Sequence, residues 1–198
     1  FSGRTNMIAG KRCPWSDSSE LYRNYHDKEW GVPVHDEKKH FEFILLESSQ
    51  AGLSWITILK KRDNYRTAFD DFDYEKIALY DETKVLQLME NTGIIRNERK
   101  IRASITNAQA FVRIQKEFGS FDRYIWGFVN FRPVINYFET LSEIPVKTEL
   151  SDKISADMKK RGFTFFGSVI CYAHMQAIGI VNDHLTCCFR HQELCCKI

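Results

Sequence analysis

Apolar residues recur at helical spacing along most of the chain, and the alternation typical of a β-strand is scarce. The clearest pattern lies in residues 41–62, FEFILLESSQAGLSWITILKKR. Two sets of positions there each share one helix face: Phe41, Ile44, Leu45 and Ser48, and then Trp55, Ile58, Leu59 and Arg62. The pattern predicts two buried helices in succession and an all-α chain arranged around them.

The break between these two helices falls at Gly52. Glycine weakens a helix by about 1 kcal/mol relative to alanine, so we expect a tight turn there. Glu47 lies one turn earlier, on a helix that is otherwise apolar. Either its carboxylate faces solvent, or it lies in the interior, where a charge is costly unless a positive partner meets it. The pattern leaves both possibilities open.

Capping residues and glycines mark the remaining helices. Ser16 or Asp17 precedes a short helix over residues 20–27, and Asp36 precedes the first central helix. Residues 65–72 indicate a further amphipathic helix after the second. Five more helices are predicted to begin at Asp73, Asp81, Asn97, Ser120 and Ser151. A last helix runs from Ser168 to about Gly179, and residues 133–145 are irregular.

The composition excludes several classes of protein. With 43% hydrophobic and 27% charged residues, the chain is globular and not disordered. No apolar run reaches the roughly 18 residues of a membrane helix, and no export signal is visible, which predicts a cytoplasmic protein. We expect a monomer with one domain of two helical lobes over residues 7–188. An expression scar (1–6) would precede it, and a tail without an assigned role (189–198) would follow.

Basic residues cluster locally, although the net charge of +2 is nearly neutral. The string ENTGIIRNERK (90–100) places Gly93 between two predicted helices, in a hairpin over residues 88–101. A helix N-terminus after such a turn binds phosphate through its N–H groups and its dipole. Arg96, Arg99 and Lys100 would add charge for a DNA backbone. An ordinary corner between two helices has the same pattern, so one glycine turn does not decide.

Cysteine and histidine residues near the two ends form a candidate metal site. Six cysteines without an export signal favour reduced thiols over disulfides. Two cysteines and two histidines would complete a closed, structural zinc site that joins the chain ends. The candidates are Cys13, His26, His184 and Cys188. Three other cysteines are alternative ligands: Cys187, Cys195 and Cys196. Ordinary core roles for the histidines are the other interpretation.

Aromatic residues and Glu47 suggest a pocket for a flat cationic ring. Stacking, cation–π attraction and Coulomb pairing would act together on such a ligand. The ligand would then supply the positive charge that Glu47 lacks. The aromatic candidates are Trp15, Tyr22, Tyr25 and Trp55. The alternative is a set of core aromatics beside an exposed carboxylate. No nucleophile stands in a recognisable triad or elbow, and no phosphate-loop motif is present.

Seven strings of the chain belong together: RCPW (12–15), YHDKEWGVP (25–33), QAGLSW (50–55), GIIR (93–96), LSEIP (141–145), KRGF (160–163) and VNDH (181–184). This set resembles the DNA-3-methyladenine glycosylase I family, the constitutive bacterial enzymes of alkylation repair. The resemblance runs from about Lys11 to Cys188, which is nearly the whole chain. Residues 189–198 have no counterpart in it.

The resemblance implies an all-α helix-hairpin-helix DNA glycosylase fold with one structural zinc ion per chain. By position, the zinc ligands would be Cys13, His26, His184 and Cys188. Double-stranded DNA containing alkylated bases would be the partner. The hairpin at Gly93 would hold its backbone, and the turn at Gly52 and Leu53 would fill the gap left by a flipped nucleotide.

The same resemblance implies how the base is held and released. Glu47 and Tyr25 would hydrogen-bond 3-methyladenine, between aromatic walls formed by Trp15, Tyr22 and Trp55. Methylation at N3 gives the purine a positive charge and weakens its bond to deoxyribose. The enzyme therefore has to extrude the base, at a cost of about a few kcal/mol, and stabilise its departure. Water would be the nucleophile.

Two other functions are compatible with the sequence. One is a non-catalytic helix-hairpin-helix module that binds damaged DNA or a protein partner. The other is a bifunctional glycosylase and lyase, which requires a lysine Schiff base. The resemblance implies no catalytic lysine, and hence hydrolysis without strand cleavage.

Overall fold

The structure, a computed structural model, describes residues 10–196, and these form ten α-helices. The helices are α1 (Glu20–Lys28), α2 (Glu37–Gln50), α3 (Trp55–Ala68), α4 (Tyr74–Ile77), α5 (Glu82–Glu90), α6 (Glu98–Phe118), α7 (Phe121–Gly127), α8 (Glu149–Lys160), α9 (Ser168–Ala177) and α10 (Phe189–Cys195). Short 3-10 helices cover Pro14–Ser18, Asp70–Phe72 and Leu141–Glu143. The predicted helical class is confirmed; the scar predicted over residues 1–6 lies outside the described residues.

Most of the predicted helix starts are confirmed by their caps. The side chains of five predicted residues each accept a hydrogen bond from a backbone N–H of the first turn: Asp36, Asp73, Asp81, Asn97 and Ser120. Each bond satisfies one of the four N–H groups that a helix leaves unpaired at its start. The cap residues therefore fix where α2 and α4 to α7 begin.

Two predicted caps were wrong. Ser19, and neither Ser16 nor Asp17, caps α1, because Pro14–Ser18 forms a 3-10 helix of its own. The helix predicted to begin at Ser151 begins two residues earlier, because Thr148 and Ser151 form a reciprocal cap. Threonine at this position accepts from the N–H of Ser151, as a capping box requires.

Three other elements differ from the prediction. Residues 65–68 belong to α3, since no breaker follows Arg62, and only a 3-10 turn follows at Asp70–Phe72. The irregular stretch contains β1 (Val134–Ile135), which pairs in parallel with β2 (Val181–Asn182). The helix after Ser168 is not the last one, because α10 follows it. Phe189 at the start of α10 donates its N–H to Lys11 O, so this segment packs on the N-terminal part of the chain.

Helix α2 lies at the centre of the fold. It packs against α3, α6, α7 and α9, and every residue from His40 to Ser49 is buried. A helix enclosed on all sides has no face left for solvent, so its polar residues, such as His40, Glu42 and Glu47, are buried as well. The carboxylate of Glu47 is 2% exposed, so it lies in the interior. The buried apolar residues form one continuous cluster that extends from Cys13 to Cys188. Among the described residues, no helix is long and apolar enough to cross a membrane.

Candidate functional site

A cavity of about 440 Å³ opens beside the C-terminal half of α2. Its first wall is formed by Glu47 and Gln50 of α2 together with the predicted aromatic residues Trp15, Tyr22, Tyr25 and Trp55. The four aromatics come from the 3-10 helix at Pro14–Ser18, from α1 and from the start of α3. The structure therefore brings all four into one pocket with Glu47.

The aromatic rings meet mostly edge to face. The Trp15 ring lies 5.4 Å from Tyr22 and 5.1 Å from Trp30, both at steep angles, and Tyr25 lies 5.6 Å from Trp55. These separations are typical of favourable aromatic pairs. Trp30 lines the cavity as well, although the sequence singled it out for no role. The string YHDKEW, which ends at Trp30, was the sequence feature that could have indicated its place in the site.

Glu47 lacks a hydrogen-bond partner for one of its oxygens. Its Oε2 atom is buried without a partner among the described residues. Burial raises the pKa of this carboxyl group to about 8, because water no longer stabilises the charged form. Burial, and next the charge of Glu47, also raise the pKa of the Tyr25 hydroxyl. An acceptor without a partner, in an aromatic cavity, is a site prepared for a ligand with hydrogen-bond donors or positive charge.

The opposite wall was not predicted as part of the site. It consists of apolar residues from 141–146 and of Tyr172, Ala173 and Gln176 on α9. Asp183, 1% exposed, accepts hydrogen bonds from Tyr172 Oη at 2.6 Å and from Gln176 Nε2 at 2.9 Å. Asp183 therefore fixes two polar side chains of this wall. The strings LSEIP and VNDH were the signals, although neither indicated a pocket.

Four side chains from the two ends of the chain meet in a buried cluster: Cys13, His26, His184 and Cys188. The Nδ1 atom of His184 lies 3.1 Å from His26 Nε2, 3.7 Å from Cys13 Sγ and 3.6 Å from Cys188 Sγ. Zinc bonds of about 2.0 Å to nitrogen and 2.3 Å to sulfur place tetrahedral ligand atoms about 3.3–3.8 Å apart. The three distances from His184 Nδ1 are therefore close to those around a zinc ion, and all four ligand atoms lie within 4.8 Å of one another.

The other nitrogen of each histidine is held in place. Nδ1 of His26 lies 2.8 Å from Asp27 Oδ1, and Nε2 of His184 lies 2.9 Å from Trp30 O. Such partners fix which ring nitrogen faces a metal. Asp27 in turn forms a bidentate ion pair with Arg12, whose Nε donates to Oδ1 at 3.0 Å and whose Nη2 donates to Oδ2 at 2.9 Å.

The three alternative cysteines lie outside this cluster. Cys187 and Cys196 are exposed, and Cys195 lies beside Asn182 and His191. The choice of Cys188 over its neighbour Cys187 thus agrees with the cluster geometry.

The turn between α2 and α3 is a type II β-turn. Leu53 N donates to Gln50 O at 2.6 Å, Ala51 has φ −44° and ψ 118°, and Gly52 has φ +79°. A type II turn needs a positive φ at its third residue, which favours glycine. A Cβ atom on Gly52 would meet nothing within 4 Å, so the backbone angle, and not space, requires glycine. Leu53 stands at the tip and is 40% exposed.

The hairpin between α5 and α6 presents unpaired charge. Arg96 and Arg99 are exposed, as are Asn97 and Glu98 beside them. Neither arginine joins an ion pair within residues 10–196. Lys100 differs, because it is half-buried and its ammonium binds backbone carbonyl groups. Gly93 has no positive φ, in contrast to the glycine of the α2–α3 turn.

The sequence profile of methyladenine glycosylases matches residues 15–191 of the chain. The match spans both walls of the cavity, the α2–α3 turn, the α5–α6 hairpin and three of the four clustered metal-type ligands. The chain belongs to the methyladenine glycosylase family.

Relatives in this family align over nearly their whole length. The chain is 50% identical over 181 residues to DNA-3-methyladenine glycosylase 1 of Escherichia coli (strain K12), covering 90% of this chain and 97% of the relative. It is 48% identical over 177 residues to the DNA-3-methyladenine glycosylase of Haemophilus influenzae, covering 89% and 96%. The family resemblance inferred from the seven strings is therefore confirmed.

Solved structures of methyladenine glycosylases share the fold. A crystal structure of 3-methyladenine DNA glycosylase I superposes with a TM-score of 0.88 at 50% identity, covering 90% of this chain and 98% of the other. The enzyme from Staphylococcus aureus, described in a study of 3-methyladenine recognition, gives a TM-score of 0.87 at 35% identity, covering 90% and 95%. The mostly helical architecture is thus that of the methyladenine glycosylases.

Proposed function

We propose that this protein is a monofunctional DNA glycosylase that hydrolyses the bond between 3-methyladenine and deoxyribose in alkylated double-stranded DNA. The observation that carries the proposal is Glu47, a carboxyl group enclosed in an aromatic cavity with one oxygen unpartnered. The named relatives, which are DNA-3-methyladenine glycosylases, support the same substrate. Such an enzyme meets its substrate where the DNA lies, in the cytoplasm expected from the sequence.

The cavity suits an adenine ring that carries positive charge. Trp15, Tyr22 and Trp55 offer ring faces and edges for stacking and cation–π attraction. Glu47 accepts hydrogen bonds from the edge of the base, and Tyr25 adds a second polar contact. An unmodified base brings no positive charge to Glu47, so the buried carboxylate would stay unpaired. The positive charge of the base therefore distinguishes alkylated from normal adenine in this pocket.

Two exposed segments would place the DNA. The α5–α6 hairpin around Gly93 acts as a helix-hairpin-helix element, in which Arg96 and Arg99 contact phosphates. The turn at Gly52 and Leu53 inserts into the space that the extruded nucleotide leaves. Base extrusion costs about a few kcal/mol and is easier at a damaged pair. A single chain carries both segments, so a monomer suffices for one lesion.

The leaving group decides the chemistry. The alkylated base departs as a neutral purine, because the bond electrons cancel its positive charge. Water adds to the sugar carbon and loses one proton to the solvent. No lysine lines the cavity among the described residues, which favours hydrolysis over a Schiff-base lyase. Borohydride should therefore trap no covalent complex between the protein and DNA.

A structural zinc ion would support the cavity. Cys13, His26, His184 and Cys188 would hold it with no open coordination position. Two of these ligands lie next to cavity residues in the chain, Cys13 near Trp15 and His26 beside Tyr25. The metal would keep the first wall in place and would take no part in the reaction.

Release of free base from methylated DNA tests the function. We expect the protein to release 3-methyladenine, measured by chromatography, and Glu47→Gln to lower the single-turnover rate strongly. Glu75→Gln, an exposed substitution on α4, is the matched control and should leave the rate unchanged. Full release by Glu47→Gln would remove this carboxyl group from the mechanism. Tight binding to an abasic duplex without any release would favour a non-catalytic damage-binding module.

A further inference from the structure

The ammonium group of Lys100 holds the turn that carries Leu53. Its Nζ atom lies 2.9 Å from Ser49 O and 2.6 Å from Ala51 O. Both carbonyls belong to the C-terminal end of α2, where a helix leaves its last carbonyl groups unpaired and partly negative. Lys100 forms no ion pair with a carboxylate in the part of the chain that the structure describes. Its charge is therefore committed to the backbone of this turn.

The bond to Ala51 O fixes the type of the turn. Type I and type II turns share the same hydrogen bond between their first and last residues and differ by a flip of the central peptide. Here that peptide joins Ala51 to Gly52, and its oxygen is the atom that Lys100 binds at 2.6 Å. A flip would remove this contact and reverse the Ala51–Gly52 peptide on which Leu53 is mounted. Lys100 thus selects one of two conformations that the turn sequence permits.

Lys100 also connects the turn to the hairpin. It lies in the first turn of α6, and its own N–H donates to the cap residue Asn97 at 3.1 Å. The exposed Arg96 and Arg99 lie within four residues of it. Contacts between the hairpin and a phosphate backbone would therefore set the position of Lys100, and through it the position of the turn.

We propose that Lys100 is a positioning residue that locks the Gln50–Leu53 turn in the conformation that inserts Leu53 into DNA, and that it is not a phosphate ligand. This inference rests on the proposed glycosylase function. It assigns to Lys100 a role different from that of its neighbours Arg96 and Arg99, with which the sequence pattern groups it.

The test compares Lys100→Met with Lys116→Met. Methionine keeps most of the apolar stem and removes the charge. Lys116 is an exposed lysine on the same helix, 16 residues and so about 24 Å further along. We expect Lys100→Met to lower the single-turnover rate of base release at saturating enzyme about tenfold or more, because small displacements of positioning groups cost up to about a hundredfold. Lys116→Met should match the wild-type protein.

Salt dependence separates positioning from phosphate binding. Loss of one phosphate contact reduces the slope of log affinity against log salt by about 0.9. We expect Lys100→Met to keep the wild-type slope and Arg99→Met to reduce it. A reduced slope for Lys100→Met, with a wild-type release rate at saturation, would overturn the proposal. If Lys100→Met does not fold, Lys100→Gln is measured in the same way.

Three further measurements complete the test. The effects of Lys100→Met and Leu53→Ala should not add, since both remove the same insertion; fully additive effects would contradict the proposal. Lys100→Arg, which keeps the charge and the N–H donors, should recover most of the rate. The fluorescence of 2-aminopurine beside the lesion reports base extrusion without chemistry. A wild-type protein that extrudes the base but releases none would refute the proposed function while still testing Lys100.

Discussion

Asn64 on α3 packs directly against Gly93 of the hairpin. Its Nδ2 atom donates to Gly93 O at 3.2 Å, and a Cβ atom on Gly93 would lie 3.0 Å from Asn64 Cγ. The N–H of Gly93 donates at 2.8 Å to Asn91 Oδ1, which also leaves no room for a side chain. Glycine is therefore favoured here by close packing and not by an unusual backbone angle. The hairpin is held against the helix that follows Leu53.

Gly93→Ala should loosen the hairpin. The added methyl group forces Asn64 or Asn91 to move, and such overpacking costs about 1–3 kcal/mol. We expect a lower free energy of unfolding in urea and weaker binding to duplex DNA. Asn64→Ala/Gly93→Ala should recover part of the loss, because the double substitution removes the contact with Asn64 Cγ, whereas those with Asn64 Cβ and Asn91 Oδ1 remain. Wild-type stability and affinity for Gly93→Ala would show that the close approach is unimportant.

Removing one metal ligand should separate Cys188 from its neighbour. We expect the purified protein to contain one zinc ion by elemental analysis, Cys188→Ser to lose it, and Cys187→Ser to keep it. A loss of about 3 kcal/mol would lower the melting temperature by about 6–12 °C for a chain of this length. Cys187 is exposed and outside the cluster, which makes it the matched control. A well-folded protein without zinc would contradict the ligand assignment.

Asp27 should raise the zinc affinity of the same site through its hydrogen bond with His26. Its carboxylate holds Nδ1 of His26 at 2.8 Å, and hydrogen bonds from Arg12 and His26 help keep its pKa below the usual range, against the effect of burial. Loss of such a supporting carboxylate lowers metal affinity about 10–100-fold. We expect Asp27→Ala to lose zinc to a chelator at a correspondingly lower concentration. Asp17→Ala, an exposed aspartate in the preceding 3-10 helix, should behave like the wild-type protein; equal affinities for both variants would exclude the role of Asp27.

The sequence could predict those parts of the site that chemistry or local strings mark. Glu47 was conspicuous because it interrupts an apolar helix, and the metal cluster because it combines two cysteines with two histidines. Lys100 was grouped with Arg96 and Arg99 by its place in a basic string. Its contacts with α2 arise only when α6 packs on that helix, and no local pattern encodes them.

The same limit applies to the second wall of the cavity. Tyr172 and Gln176 were predicted on the inner face of a helix, which is confirmed, but their partner Asp183 lies outside that helix, directly after β2. Helix starts were predicted well because caps act over three residues. The division at Arg62 failed because the apolar positions continue at helical spacing into Tyr65 and Ala68, and no helix-breaking residue stands between them.

His174 should make the fold less stable in acid. It is fully buried, neither ring nitrogen has a partner among the described residues, and burial lowers its pKa to about 3. Below about pH 6.5 the unfolded chain binds a proton that the folded protein does not, so stability falls as pH falls from 6.5 towards 3. His174→Phe should be more stable than the wild-type protein at pH 5. This difference in the free energy of unfolding should be up to about 2 kcal/mol larger at pH 5 than at pH 8. A constant difference at the two pH values would show that His174 does not titrate in this way.

Glu47 should lower the free energy of unfolding as the pH rises, whereas His174 lowers it as the pH falls. Its pKa is about 8 in the folded protein and about 4.3 in an unfolded chain, so between these values the folded state binds the extra proton. The wild-type free energy of unfolding should therefore fall as pH rises from about 4.5 to 8, by up to about 5 kcal/mol. Above pH 8 it should fall no further on account of this group.

Glu47→Gln should flatten that part of the stability curve, because glutamine does not ionise, whereas the exposed Glu75→Gln should run parallel to the wild-type protein. Urea unfolding at pH 5, 7 and 9 measures the three curves. Parallel curves for Glu47→Gln and the wild-type protein would mean that the carboxyl group is solvated or paired in solution.

A cationic base in the pocket favours the ionised carboxylate, so binding it should release a proton in the wild-type protein and none in Glu47→Gln. On the proposed function, the charge that destabilises the empty pocket would also favour the alkylated base.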